Sequence, residues 1–284
     1  MGIQVKNIFY TYQKKASNAT LALKDVCLEI KDNDFVAIVG ETGSGKSTLA
    51  QTFNALLIPD KGEVDVGNYV INYKNRKGRK LKGLRKHIGL VFQFPEYQLF
   101  EETVEKDVAF GVKNFGVKKE EALEKAHQAL AQVGLDESYY QRAPFDLSGG
   151  EKRKVAIAGI LAINPDIIIF DEPTVGFDPQ SGKELMQLIT DFHKQGKTII
   201  VITHDMDLVN TYAQKVFMLE KGELAFEGTP SELFEYIQNY DRLDTPAVIK
   251  VAQKLQEKGM DINPKEIRNE NDLLLAIKKW RKKA

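Results

Sequence analysis

Residues 40–48 read GETGSGKST, and a strand-like apolar run, Phe35–Val39, leads into them without a break. A turn of the form G-x-x-x-x-G-K-[ST] between a strand and a helix leaves the backbone little choice. The chain reverses tightly, and successive N–H groups turn inward toward whatever sits at the helix N-terminus. Such turns lie at the carboxyl edge of parallel sheets, so an α/β fold with a parallel-sheet core is expected. Gly40, Thr42, Gly43, Ser44, Gly45 and Thr48 are expected to line a cradle for β- and γ-phosphates. Lys46 adds a point charge there, and the Ser47 hydroxyl is placed to hold Mg²⁺. The helix is predicted to continue through residues 48–57.

Composition narrows the classes without choosing among them. A chain of 284 residues can bury one large core plus an appendage. Lys plus Arg and Asp plus Glu both total 40, so no global field draws nucleic acid or an anionic surface. The apolar stretch at 155–163 stops at Asn164 and Pro165, far short of a membrane span. No secretory apolar region stands at the N-terminus, and a cytoplasmic location is expected. Cys27, the only cysteine, lies in the apolar run 26–30 and is expected to be a small buried hydrophobe.

Further strand ends carry chemistry. Ile167–Asp171 is a continuous apolar run ending in a carboxylate, with Glu172 next, as in a strand buried on both faces. Asp171 is expected in the Mg²⁺ shell beside Ser47. Glu172, left free by that division of charge, would orient the attacking water or take its proton. The run 198–203 ends in His204, which can hydrogen-bond a γ-phosphate. Gln93 closes the run 88–92, and its uncharged amide can position the metal or the water. Leu147, Ser148, Gly149, Gly150 and Glu151 then open a second glycine-rich helix start, another anion site. Two half-sites in one chain are most economically used by a head-to-tail pair of chains.

In this order the motifs resemble those of the ATP-binding cassette (ABC) ATPases, whose signature is LSGGQ and whose dimers sandwich two ATPs. The resemblance covers residues 3 to about 230. It implies that Tyr12, with Tyr10 as the neighbouring candidate, stacks on adenine. Gln93 matches the Q-loop, Asp171 and Glu172 the Walker B pair, Asp178 the D-loop, and His204 the switch histidine. Two positions depart from the common pattern: Glu151 stands where the signature has Gln, and Val175, Gly176 and Phe177 replace Ser-Ala-Leu. Both sit where the partner's nucleotide or D-loop is expected.

What such an ATPase drives should be written between Gln93 and Leu147. Phe94, Tyr97 and Phe100 alternate with Glu96, Glu101 and Glu102, the pattern of an apolar groove with an acidic rim for an amphipathic helix. The competing reading is a solvated loop whose aromatics fold back into the core. FQFPEYQLFEETVEKDVAFG resembles the corresponding segment of energy-coupling factor (ECF) transporter ATPases. With GETGSGKSTLAQTFNALL and VAIAGILA, it is most similar to the second of two paralogous ATPases in vitamin-type complexes. That resemblance implies a heterodimer with a second paralogous ABC ATPase, held at the cytoplasmic face of the membrane. A transmembrane T subunit would dock its coupling helix at Phe94, Glu96, Tyr97, Phe100 and Glu101, and an exchangeable S subunit would select a vitamin or metal ion. Membrane contact is through partners, and no nucleic acid is involved. The open alternatives are another ABC importer subclass, or a non-transport ABC ATPase acting on nucleic acid or ribosomes.

The domain division expected is 1–235 for the ATP-binding domain, with a helical subdomain at about 94–165, and 236–284 for a helical extension. Within it, residues 247–259 and 272–283 show helical spacing of Val248, Val251 and Leu255 and of Leu273, Ala276, Ile277 and Trp280. The resemblance assigns this region to ATPase–ATPase contact. The basic end, Lys278 to Lys283 around Trp280, is read as a solvated helix terminus complementing its dipole, with lipid or RNA contact as the alternative.

Overall fold

The computed structural model describes residues 1–75, 80–237 and 243–281. An antiparallel sheet has the strand order β2-β1-β4-β5, from β1 (Ile3–Tyr12), β2 (Thr20–Ile30), β4 (Lys61–Val66) and β5 (Tyr69–Ile71). Its inner face is built by alternation: Ile3, Val5 and Ile8 pair with Ile30, Leu28 and Val26, and all six are buried. Asn7 and Asp25 take left-handed backbone angles where the register shifts, and Asn7 Nδ2 donates to Asp25 Oδ1 at 2.9 Å. The same alternation turns Cys27 outward beside Glu29. The cysteine is exposed, contrary to its expected burial, and accepts a hydrogen bond from Asn7 N.

The larger sheet has the order β10-β9-β3-β8-β7-β6. Its strands are β3 (Phe35–Val39), β6 (Ile88–Val91), β7 (Ile167–Asp171), β8 (Thr198–Ile202), β9 (Lys215–Glu220) and β10 (Glu223–Gly228). β6, β7, β8, β3 and β9 run parallel, and only β10 is antiparallel. Every residue of β3, β6 and β8 is buried, which is why these strands read as unbroken apolar runs.

One core lies between the two sheets and α1 (Lys46–Phe53), with Ile38, Leu49, Phe53, Val64 and Phe217 at its centre. α1 is shorter than its predicted reach to residue 57. Asn54 caps it, Ala55 is left-handed, and the N–H groups of Leu56 and Leu57 both return to Gln51 O. α2 (Lys80–His87) leads into β6.

The second core covers the other face of the large sheet with α3 (Val104–Asn114), α4 (Lys119–Gln132), α6 (Gly149–Leu161) and α7 (Pro179–Lys194). α4 presents Ala122, Ala126, Ala129 and Leu130 inward at helical spacing, small enough for close helix packing. α5 (Glu137–Tyr140) bridges toward α6.

After β8, α8 (Met206–Tyr212) returns the chain to β9. Thr229 and Glu232 form a capping box that starts α9 (Pro230–Tyr236). The extension has a small core of its own, in which Ala252 of α10 (Ala247–Glu257), Ile262 and Ile267 meet Leu273, Ala276 and Ile277 of α11 (Glu270–Arg281). It is tied to α8: Asn210 Nδ2 donates to Ile267 O and Arg268 O, and Asp207 Oδ1 accepts from Ala247 N, each at 2.9 Å. This docking turns Ile249 and Ala252 inward and leaves Val251 45% exposed. Lys282 and Lys283 of the basic end lie outside the described residues. Among the described residues, no helix is long and apolar enough to cross a membrane.

Candidate nucleotide site

The loop after β3 needs glycine at two points. Gly40 has φ +138°, and a Cβ there would stand 2.2 Å from Leu219 O. Gly45, the residue before α1, has φ +103°, and a Cβ would stand 2.6 Å from Ala22 O. Around Gly43 nothing lies within 4 Å of an added Cβ, so the mouth of the loop is open. Lys46 Nζ folds back to donate to Gly40 O and Glu41 O, both at 2.8 Å. Burial lowers its pKa, against the pull of Glu172, Asp171 and Glu41. A partly desolvated ammonium resting on neutral carbonyls gains by meeting an anionic oxygen. Ser44 is buried, and its Oγ has no hydrogen-bond partner among the described residues.

Tyr12 ends β1 beside this loop, its hydroxyl 3.1 Å from Thr48 Oγ1 and its ring edge-on to Tyr10 at 4.9 Å. Tyr10 packs against the inter-sheet core, whereas Tyr12 is 38% exposed, so Tyr12 presents the free aromatic surface.

Asp171 and Glu172 stand at the carboxyl end of β7. Burial pushes the Asp171 carboxyl up; a hydrogen bond from Ser47 opposes this, the Glu172 charge adds to it, and Lys46 opposes it. Glu172 has φ +50°, a left-handed backbone uncommon for a non-glycine residue and of the kind that collects at working sites. Its N–H is fixed to Ile202 O at 2.9 Å. Thr203 Oγ1 donates to Glu172 Oε2 at 3.3 Å, and His204 Nδ1 lies 2.7 Å from Glu172 Oε1.

The structure thus brings Lys46, Ser47, Asp171, Glu172 and His204 together where three parallel strands end. Gln93 follows β6, the neighbour of β7, and is exposed at the same sheet edge. Thr203, buried beside Glu172, is a further residue of the site, and its signal in the sequence is a polar residue closing the apolar run 198–203.

Ser148 is the N-cap of α6, where Glu151 N donates to its Oγ at 3.3 Å and its own N–H donates to Glu151 Oε2 at 2.8 Å. Tyr139 OH holds Glu151 Oε1 at 2.9 Å. Hydrogen bonds from Ser148, then Tyr139, keep the Glu151 carboxyl below the usual range. Leu147 is buried beneath the turn. An added Cβ at Gly149 would meet nothing within 4 Å, so no contact inside the chain requires glycine there. Asp178 caps α7, accepting from Gln180 N and Ser181 N.

Of the expected groove, Phe94, Tyr97 and Phe100 are 38%, 84% and 57% exposed, and Phe100 stands edge-on to Phe110 at 4.8 Å. These aromatics do not fold back into the core; Leu99 does. Glu101 is half-buried at the groove, its N–H bonded to Asp107. Glu96 departs from the rim expected for it. Its carboxylate turns inward, with Oε2 3.8 Å from Arg153 Nε.

A phosphate loop, paired carboxylates and a histidine at neighbouring strand ends, with a capped glycine helix start following a helical insertion, define an ABC ATPase. The ABC transporter family matches residues 23–175. The energy-coupling factor transporter ATP-binding protein EcfA2 of Streptococcus sanguinis is 48% identical over 265 residues, spanning 93% of this chain and 95% of that protein. EcfA2 of Streptococcus agalactiae is 46% identical over 280 residues, spanning 98% and 99%. Among solved structures, CbiO1 from Clostridium perfringens, part of the ABC transporter complex CbiONQ, superposes with a TM-score of 0.73. It is 37% identical, covering 90% of this chain and 96% of that one. The dimeric, post-hydrolysis ATP-binding cassette MJ0796 bound to ADP and Pi gives 0.71 at 34% identity, covering 80% and 98%. The chain belongs to the family of energy-coupling factor transporter ATP-binding proteins.

Proposed function

We propose that this chain is the ATP-hydrolysing subunit of an ECF-type importer. It works as a head-to-tail pair with a second paralogous ATPase at the cytoplasmic face of the membrane, coupled through a T subunit to exchangeable S subunits for a vitamin or metal ion. The observation that carries the reading is the Lys46, Asp171, Glu172 and His204 cluster in a chain nearly half identical to such ATPases along almost its whole length.

The open loop at Gly43 and the carbonyl-bound ammonium of Lys46 fit a nucleotide polyphosphate, with the adenine against Tyr12. The donor set also fits Mg²⁺, because Asp171 is a carboxylate that burial makes costly to ionise and that a cation would relieve. Ser47, Asp171 and Gln93 would hold the ion, which neutralises phosphate charge when bound. Glu172, aimed by Thr203 and His204, orients a water and takes its proton as the water oxygen attacks the γ-phosphorus. The bond between γ-phosphorus and the bridging oxygen breaks, giving ADP and phosphate. His204, bonded to Glu172, would also hydrogen-bond the γ-phosphate and so register when that phosphate leaves.

The second nucleotide is closed by this chain's Ser148, Gly149 and Gly150, reaching across to the partner's loop, and Asp178 lies at that junction. Exposed Leu274 and Leu275 of α11, with Val251, offer apolar surface to the second ATPase. The division at about residue 235, and the insertion at 94–165, are part of this reading.

Glu151 tunes the shared site. Its ionised carboxylate sits at the helix start offered to the partner's phosphate, and an anion is disfavoured beside a second anion. Glu151→Gln keeps an acceptor for Ser148 N and removes the charge. The expected result is a KM for ATP lower by about two- to fivefold, from roughly 0.3–1 kcal/mol at a helix terminus. Steady-state ATPase kinetics of the assembled complex check it, and an unchanged KM would remove Glu151 from the nucleotide site.

The function is tested by tagging the chain in its host, solubilising membranes in mild detergent and identifying what co-purifies. A second ABC ATPase, a T-type membrane protein and small substrate-binding membrane proteins are expected. Ribosomes or nucleic acid in their place would keep the ATPase and end the importer.

A further inference from the structure

Arg153 is 5% exposed, the one charged residue among the described residues that is buried. It lies on α6 in line with Ile157 and Leu161, each four residues on, so the helix carries it inward with its apolar stripe. Its guanidinium fills the space between two loops. One holds Val175, whose carbonyl accepts from Arg153 NH1, and Phe177, whose ring centre is 4.7 Å from Arg153 Cζ. The other holds Phe94, with its ring centre 5.8 Å from Cζ, and Glu96, with Oε2 3.8 Å from Nε.

The pairing is incomplete. Arg153 NH2 and Glu96 Oε2 are both buried without a hydrogen-bond partner among the described residues. Stability alone is poorly served by a buried ion pair whose members do not bond, and apolar side chains would do at least as well. A small rotation of the 94–97 turn would close the gap. That turn already has an unusual backbone, since Phe94 has φ +55°, and Tyr97 beyond it is 84% exposed and free of core packing. Opposite, Gly176 has φ +83°, and a Cβ there would stand 3.9 Å from Arg153 NH1 and 3.7 Å from the Phe94 ring. The two loops therefore meet at one guanidinium, and residues 172–178 run from Glu172 to Asp178.

We propose that Arg153 is a positioning residue that ties the exposed 94–97 turn to the 175–177 turn, so that nucleotide at the carboxylate end and occupancy of the aromatic surface report to each other. The open pair is one arrangement and the hydrogen-bonded pair is the other, and a ligand that favours one shifts both loops. The inference deepens the transporter reading and rests on it for what docks at residues 94–101. The link itself is internal to the chain.

The test uses the full chain carrying Cys27→Ser, which removes its one cysteine, and Tyr97→Cys labelled with a nitroxide. Spectra are compared with and without β,γ-imido-ATP plus Mg²⁺, and affinity for the analogue is measured calorimetrically. In the parent, nucleotide is expected to change nitroxide mobility. Arg153→Met should lose that change at unaltered affinity, and Arg153→Lys should regain part of it, because an ammonium can pair with Glu96 without forking to Val175 O. Glu96→Gln, nearly isosteric, should behave like Arg153→Met and carries the comparison if that protein does not fold. No nucleotide response in the parent, or a response of parental size in both Arg153→Met and Glu96→Gln, overturns the link. So does a spectrum altered equally with and without nucleotide and not improved by Lys, since that marks a packing role. Failure to co-purify membrane partners would end the transporter reading and leave this measurement standing.

Discussion

Glu172→Gln leaves ATP binding intact and lowers kcat by roughly 10²- to 10⁴-fold, the range for loss of a positioned general base. The side chain is held at both oxygens, by Thr203 Oγ1 at 3.3 Å and against His204 Nδ1 at 2.7 Å, and its N–H is pinned to Ile202 O. A glutamine of the same shape can occupy that pose, so the loop and its phosphate contacts are expected to stay in place. What it cannot do is take the proton that the attacking water must lose. The loss therefore belongs in kcat with KM nearly constant, the pattern of an interaction made only in the transition state. Titration calorimetry for binding and steady-state kinetics for turnover separate the two. Turnover within tenfold of the parent would mean that another group accepts the proton.

Most of this site was legible because parallel strands covered on both faces must be apolar throughout, and their ends are then marked by the first polar residues. Asp171, His204 and Gln93 were found that way, and Lys46 by its loop. Legibility failed where residue type was weighed above position. Cys27 was read as a hydrophobe, yet Val26, Leu28 and Ile30 alternate around it, and the period puts it outside with Glu29. Arg153 stands between Lys152 and Lys154 and is set apart from them only by its spacing to Ile157 and Leu161, which places it on the buried stripe. Glu96 turns inward because that guanidinium is there, so neither residue is intelligible alone. The extension is a different case. The face that α10 buries is set by its docking on α8 and α9 through Ile249, a tertiary choice that helical spacing leaves open.

Lys46→Ala weakens ATP binding by about 2–5 kcal/mol, on the order of thirty- to several-thousand-fold, the cost of leaving a partly desolvated phosphate without its cation. Loss of the nucleotide-free fold is not expected to match it. Gly40 O and Glu41 O lose their donor, at roughly 1 kcal/mol each, while the penalty of holding an ammonium in a site that lowers its pKa is relieved. A second consequence appears in the pH dependence. The Asp171 carboxyl is already raised above its unfolded value, so the native chain binds more protons than the unfolded one just above that value, and stability falls as pH rises through the window. Lys46 is one of the groups opposing the rise. Its removal widens the window toward neutral pH and steepens the loss. Unfolding midpoints of Lys46→Ala and parent, without nucleotide and at several pH values from acid to neutral, should therefore diverge as pH increases. Parallel curves together with an affinity within tenfold of the parent would mean that the ammonium serves the loop carbonyls alone and is neither phosphate ligand nor counter-charge to the carboxylates.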